Sequence, residues 1–504
     1  RLNGEKIFLK GNANHHDLGA LGAASYDRAI ERMMLQLKSF GYNCIRCSHN
    51  PYSDSFARIA DRVGMLVVDE LTDKWSDNDY WGGRQPFTHI WHKLITEWIK
   101  RDRNRPSIIL WSLGNELQIR EGWAGFEGTN DWGITTYNIF NQLVKRWDNT
   151  RLTTVAMFPA RAGAITRHDK EFNDYLVPPE LACATEVASF NYQSDKYDAY
   201  LKYKPDLILF QSEAETSNLL QPYYNMDRKR TVGMAYWGSA EYWGESNKWP
   251  KKGWNYSFFD HTMRPYPQAY LIKSAFMPEI PEVHIGVVDA AGAESVSWND
   301  VIVGRMALNE CWNHTPGSRQ SLFTFTNAHS VELLVNGQSM GVQENDTTQA
   351  NLRNMIYWKD VPYGNGGSVV AIARDKSGKE VARHHIETAG KAVALRIEAE
   401  TPADWKADGM DLQYINVTAI DKKGRPVWDY NKPLTLQMEG AAWLVALDNG
   451  DHYTDELFHG ITSKRMYQGR MQIILRSTKT PSNVKLEISS ADLKEKLSLK
   501  TSLK

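Results

Sequence analysis

Ile108-Ile109-Leu110-Trp111-Ser112-Leu113-Gly114-Asn115-Glu116 reads as a buried strand that delivers a carboxylate at its end. An apolar run of this length, opening just after Pro106, suits a strand covered on both faces, as parallel sheets require. A glutamate at the edge of such a core is costly unless it is paired or used. Leu207-Ile208-Leu209-Phe210-Gln211-Ser212-Glu213 repeats the same order, an aliphatic run and then a glutamate.

Working outward from these two runs, short apolar segments alternate with helical patterns up to about residue 275. Ile7 to Lys10, Cys44 to Arg46, Met65 to Val68, Thr153 to Met157, Val187 to Phe190 and Val232 to Tyr236 bring the strand candidates to eight. Between them, Ile30, Met33, Met34 and Leu37 recur at helical spacing before Gly41, and Phe56, Ile59, Ala60 and Val63 before Gly64. Eight strands with crossover helices and no GxGxxG or GxxxxGK loop predict a (β/α)₈ TIM barrel rather than a doubly wound sheet. In such a barrel the polar strand ends form the site. Here they are His15-His16-Asp17, Arg46 with His49, Asp69-Glu70, Asn115-Glu116, Asn191-Tyr192, Ser212-Glu213 and Trp237.

Two prolines in Met277-Pro278-Glu279-Ile280-Pro281 mark a linker, after which alternation replaces helical spacing. Val331-Glu332-Leu333-Leu334-Val335 runs into the hairpin signal Asn336-Gly337, and Asn416 to Ile420 precedes another turn at Asp448-Asn449-Gly450. The expected organisation is a barrel over 1–278 and two immunoglobulin-like β-sandwiches over 279–390 and 391–504.

Composition excludes several classes. The 504 residues, 42% hydrophobic and 24% charged, provide for two to four packed domains, and the net charge of -1 gives no nucleic-acid footprint. No stretch of about 18 apolar residues is present to span a membrane. Four cysteines form no disulfide framework, and Cys44 and Cys47, three apart on a strand, face opposite ways. The 18 Trp, 23 Tyr and 16 Phe fill cores and also suit stacking against sugar rings.

Paired carboxylates across one mouth fit glycosidic cleavage, in which one group donates a proton while the other is ionised. Mutual repulsion and shielding from water split their pKa values. From position alone, Glu116 serves equally as a helix cap or as an ion-pair partner of Arg101, Arg103 or Arg105. Glu215 competes with Glu213, since alternation would put both on one side of a continuing strand; the apolar run ends before Gln211, which favours Glu213.

The stretch Asp102 to Glu116 (DRNRPSIILWSLGNE) resembles the acid/base signature of glycoside hydrolase family two, the β-galactosidase, β-glucuronidase and β-mannosidase family. Leu2 to Gly11 with His15-His16-Asp17-Leu18-Gly19, Ile45 to Pro51, and Val67-Val68-Asp69-Glu70 resemble it as well, in the right order. The resemblance implies a retaining double displacement with Glu116 as general acid and base and Glu213 as nucleophile. It implies that Asn115 holds the sugar 2-hydroxyl, that Tyr192 bonds the nucleophile, and that Trp237 floors the sugar site, with barrel packing as the plain alternative for the tryptophan. His15, Arg46 and His49 resemble residues lining or bracing that site. Arg46 either orients Glu213 or touches sugar, and His49 is alternatively a satisfied core histidine. In Asp69-Glu70-Leu71-Thr72-Asp73-Lys74-Trp75 a lysine stands where magnesium-binding relatives carry a ligand, so no catalytic metal and no cofactor are expected.

A β-galactosidase acting on chain ends is the leading expectation, on a glycoside or oligosaccharide substrate. β-Glucuronidase is the sister reading, through Asn247-Lys248 as a loose match to a sugar-carboxylate clamp, and a non-catalytic carbohydrate-binding barrel is the remote one. An endo-acting hydrolase needs an open cleft, whereas the loop from Leu71 to Gln85 is expected to wall off one end. The resemblance further implies a jelly roll and a sandwich ahead of Arg1, and a periplasmic or secreted bacterial setting. Neither nucleic-acid binding nor membrane insertion is expected, and assembly into a homo-oligomer is compatible with the sequence.

Overall fold

The computed structural model describes residues 2–75, 85–117, 133–158, 178–217, 219–246, 249–289, 294–298 and 301–503. Eight parallel strands close into a barrel: β1 Leu9–Asn14, β2 Cys44–Cys47, β3 Leu66–Glu70, β4 Ile108–Asn115, β5 Leu152–Met157, β6 Val187–Asn191, β7 Leu209–Ala214 and β8 Thr231–Trp237. The first crossovers are α1 Asp27–Ser39, α2 Asp54–Val63, α3 Phe87–Asp102 and α4 Ile134–Trp147.

Local chemistry explains these bounds. In α2 the Ser53 side chain accepts from Phe56 N, Phe56, Ile59 and Ala60 are buried, and Gly64 at φ +70° ends the helix in the left-handed region. The barrel closes where β8 meets β1, with Leu9 opposite Gly233. A Cβ on Gly233 would lie 2.3 Å from Leu9 Cβ, so only glycine permits that approach.

Several strands extend past their apolar runs. β1 begins two residues later than the expected Ile7 and continues through buried Asn12 and Asn14, while β7 continues through Gln211, Ser212 and Glu213. Polar residues belong to these strands because the barrel end encloses them, which no reading of apolar runs detects.

The chain divides into two compact units, one of residues 1–16, 34–239 and 295–304, the other of 17–33, 240–294 and 305–504. This division differs from a boundary at 278. Residues 17–33 cluster with the second unit because Arg28 pairs with Asp411 at 2.9 Å, Arg32 with Glu400 at 2.7 Å, and Ala20, Leu21 and Ala29 pack with Leu412, Tyr414 and Ile474.

Within the second unit, two all-β cores form. One gathers Val283, Ile285, Trp312, Leu333, Trp358 and Ile386, and the other Trp405, Ile415, Leu436, Ile473, Leu486 and Leu499. Each core lies between two four-stranded antiparallel sheets. Asn336 and Gly337, at φ +52° and +81°, turn the hairpin between Ser330–Val335 and Gln338–Glu344 as their pairing predicts. Cys44 and Cys47 are buried free thiols, and no described helix is long and apolar enough to cross a membrane.

Candidate active site

At the C-terminal ends of the barrel strands, seven of the eight strands bring polar or aromatic side chains together. His15 follows β1, Arg46 lies in β2, Glu70 ends β3, Asn115 ends β4 with Glu116 next, Asn191 ends β6 with Tyr192 next, Glu213 lies in β7, and Trp237 ends β8. These are the positions where barrels carry chemistry.

Two irregularities aim the carboxylates. Between β6 and β7 the pairing steps from Phe190–Gln211 to Asn191–Glu213, and between β4 and β5 from Ser112–Thr154 to Asn115–Ala156. Strict alternation would send Ser212 and Glu213 to opposite faces. The shift instead lets Ser212 Oγ donate to Asn191 Oδ1 at 2.8 Å while Glu213 meets Arg46. Glu116 and Tyr192 adopt φ +49° and +58°, left-handed backbone that side-chain-bearing residues seldom take and that gathers at functional sites.

The two glutamates sit in different surroundings. Glu213 is buried; its Oε1 accepts from Arg46 Nη1 at 2.8 Å and its Oε2 from the Tyr192 hydroxyl at 2.7 Å. Half-buried Glu116 accepts from Asn191 Nδ2 at 3.0 Å. Loss of water and then the neighbouring Glu213 charge push the Glu116 carboxyl up to about 8, against a smaller opposing pull from Lys74. A polar chain joins the pair: Asn191 Nδ2 also donates to Asn115 Oδ1 at 3.0 Å, and Arg46 Nη2 donates to that same oxygen at 3.0 Å.

Arg46 is fully enclosed. Its Nε reaches Glu70 Oε2 at 3.0 Å and its Nη2 the same carboxylate at 2.8 Å, so one planar guanidinium spans Glu70, Glu213 and Asn115. Of the two roles open from sequence, orienting Glu213 is the one this geometry displays. Glu70 feels burial first, which raises its pKa, but Arg46 and His49 hold it below the ordinary value. His49 Nδ1 lies 2.6 Å from Glu70 Oε1, and its ring stacks on Trp237 at 5.4 Å and 6°. His15 meets the Trp237 ring edge-on at 5.1 Å. Buried Lys74 contacts Asp73 at 2.6 Å, and Asp73 accepts from Asn115 Nδ2 at 3.0 Å.

Three family models match the chain: "Glycosyl hydrolases family 2, TIM barrel domain" over residues 1–233, "Domain of unknown function (DUF4982)" over 317–382, and "Glycoside hydrolase family 2 C-terminal domain 5" over 395–497. The chain belongs to glycoside hydrolase family 2. Among relatives, it is 27% identical over 98% of its length to the β-galactosidase BoGH2A of Bacteroides ovatus, covering 61% of that protein. Over a shorter region, 23% of this chain and 11% of the relative, it is 44% identical to a putative β-glucuronidase of Formosa agariphila. A crystal structure of a family 2 member from Bacteroides cellulosilyticus superposes on the whole chain at a TM-score of 0.86 and 27% identity, with 63% of that structure covered. The chain thus spans about three fifths of the Bacteroides ovatus and Bacteroides cellulosilyticus proteins.

Within this family 2 barrel, His15, Arg46, His49, Asn115, Glu116, Tyr192, Glu213 and Trp237 all fall at the C-terminal end of the barrel, on or just after six different strands. Glu215 lies one residue past the end of β7, and its charge acts on Tyr236. From sequence, Glu70 and Asn191 stand among the polar strand ends without a role of their own, and Lys74 is noted only as standing where some relatives carry a metal ligand. Their partners, and the place of Asp73 beside Asn115, follow from the fold. Asn247-Lys248, and residues 76–84 of the loop considered for the cleft wall, lie outside the described residues.

Proposed function

We propose that this chain carries the catalytic barrel of a retaining exo-β-glycosidase acting on β-galactosides. The supporting observation is the asymmetry of the two glutamates: Glu116 is poised to hold a proton near neutral pH, while Glu213 is cradled by Arg46 and Tyr192.

In this reading Glu116 donates its proton to the glycosidic oxygen as the Glu213 carboxylate attacks the anomeric carbon. The bond to the aglycone breaks, and the aglycone leaves as an alcohol. Glu116, now ionised, takes a proton from water, whose oxygen attacks the same carbon and frees Glu213. Two inversions leave the anomeric configuration retained. Asn115 offers its amide to the 2-hydroxyl, and the Trp237 face, backed by His49, floors the sugar site. Arg46 and Glu70 position the machinery, and the Lys74 ammonium tempers the rise in Glu116.

Galactose is favoured by the β-galactosidase relative that matches 98% of the chain. The local identity to a putative β-glucuronidase favours the sister reading. Hydrolysis of p-nitrophenyl β-galactoside against the β-glucuronide separates the two. Glu213→Ala is expected to lose nearly all turnover and, given azide, to yield the inverted glycosyl azide; rescue of Glu215→Ala instead would overturn the assignment. A periplasmic or secreted location belongs to the same proposal, with activity expected in the periplasmic or extracellular fraction of the native host and cytosolic activity overturning it.

A further inference from the structure

Glu241, His261 and His452 form a buried cluster within the second unit, each about 4% exposed. Glu241 Oε2 lies 3.0 Å from His452 Nε2 and 3.3 Å from His261 Nδ1, and the three atoms fall within 4.8 Å of one another. Four ligands about 2.0–2.1 Å from a zinc ion at tetrahedral angles stand about 3.3 Å apart, so these spacings suit one shared centre.

The surrounding groups have the corresponding arrangement. His261 Nε2 faces Asp448 Oδ1 at 2.8 Å, the carboxylate–histidine pairing that fixes a ring so that its other nitrogen points at a metal. Glu241 Oε1 accepts from the Tyr266 hydroxyl at 2.7 Å and Arg305 Nη1 at 3.2 Å, which leaves Oε2 turned towards both rings, where it also receives His261 N at 3.3 Å. Trp243 stacks on His452 at 5.0 Å and leans on His261 at 4.6 Å. Glu241 and His452 also line a cavity of about 240 Å³, room for a water ligand in the remaining position.

The competing explanation is a protonated His261 bridging Glu241 and Asp448. It accounts for His261 but not for His452, whose Nδ1 is buried without a hydrogen bond and whose Nε2 turns to the same Glu241 oxygen that His261 faces. His452 Nε2 approaches Glu241 Oε2 closely yet lacks hydrogen-bond alignment, as two ligands of one ion would. The other histidine–carboxylate cluster, His284, Glu310 and His384, differs: its rings stack at 4.0 Å and His384 Nδ1 accepts from Ile285 N. Stacked rings do not point their in-plane lone pairs at a common centre.

We propose that Glu241, His261 and His452 bind a divalent transition-metal ion of the zinc class, with Asp448 orienting His261. The ion would clip the turn at Asp448–His452 to the 241–261 segment inside the second unit, a structural role separate from the barrel carboxylates.

The test uses the full chain, stripped with chelator and dialysed against micromolar Zn²⁺. Wild type is expected to retain about one zinc per chain and to melt about 3–6 °C higher at a hundredfold excess over Kd. His452→Gln is expected to weaken zinc binding at least about a hundredfold and Asp448→Asn about 10–100-fold, with His384→Gln unchanged. No zinc in wild type, or unchanged binding in His452→Gln, overturns the site. Should that variant fail to fold, the Co²⁺-loaded wild type decides: intense four- or five-coordinate visible bands support the site, and the weak bands of an octahedral surface ion refute it.

Discussion

Replacing Glu116 by Gln tests the electrostatic design of the barrel mouth through stability alone. The carboxyl is held at about 8 in the folded chain against 4.5 ordinarily, first by loss of water and then by Glu213. The folded chain therefore keeps a proton that the unfolded chain releases, so the wild type loses stability as pH rises from 4.5 through 8 and levels off above. At pH 7 the cost is about 3.5 kcal/mol, from about 1.4 kcal/mol per unit over about two and a half units, and above pH 8 it approaches about 5 kcal/mol. Gln preserves the shape and the bonding to Asn191 but does not titrate. The variant is expected to match wild type within about 1 kcal/mol at pH 5 and to exceed it by roughly the amounts above at pH 7 and 8.5. Urea unfolding of the barrel at the three pH values, followed by tryptophan fluorescence, measures the widening gap. A gap that stays constant from pH 5 to 8.5, or a variant less stable than wild type at pH 8.5, refutes the reasoning. The same substitution should lower kcat about 10²–10⁴-fold on substrates with poor leaving groups and far less on activated aryl glycosides, which depart without a proton.

Three further outcomes follow from the geometry. In wild type kcat/KM should fall with an apparent pKa near 8 on the alkaline side; Lys74→Met removes a charge that pulls Glu116 down, so the limb should move to higher pH, read from a pH–rate profile. Arg46→Lys keeps the charge but loses the fork across Glu70, Glu213 and Asn115; unfolding measurements should show a loss of about 3–5 kcal/mol, together with a fall in kcat. Gly233→Ala sets a methyl 2.3 Å from Leu9 Cβ at the closing seam, for which denaturation should show a cost of about 1–3 kcal/mol, whereas the open Gly4 position lacks such a clash.

By itself the sequence determined the eightfold alternation, because apolar runs and helical spacing record which faces must leave water, and each run from Cys44 to Val232 has a barrel strand on it. It also determined that Asn115-Glu116 and Ser212-Glu213 stand at strand ends, since a carboxylate directly after a buried run has nowhere else to lie. Tertiary structure alone decided how those groups meet. The register shifts at Glu213 and Asn115 override the alternation on which any comparison of Glu213 with Glu215 depends. Arg46 joins Glu70 to Glu213 across 24 and 167 positions of chain, and His261 reaches Asp448 across 187, separations at which a sequence carries no distance information. The assignment of residues 17–33 to the second unit likewise rests on Arg28 and Arg32 finding Asp411 and Glu400. Local pattern records burial, which each residue experiences separately; pairing of charges depends on where distant segments come to rest, and only the folded chain fixes that.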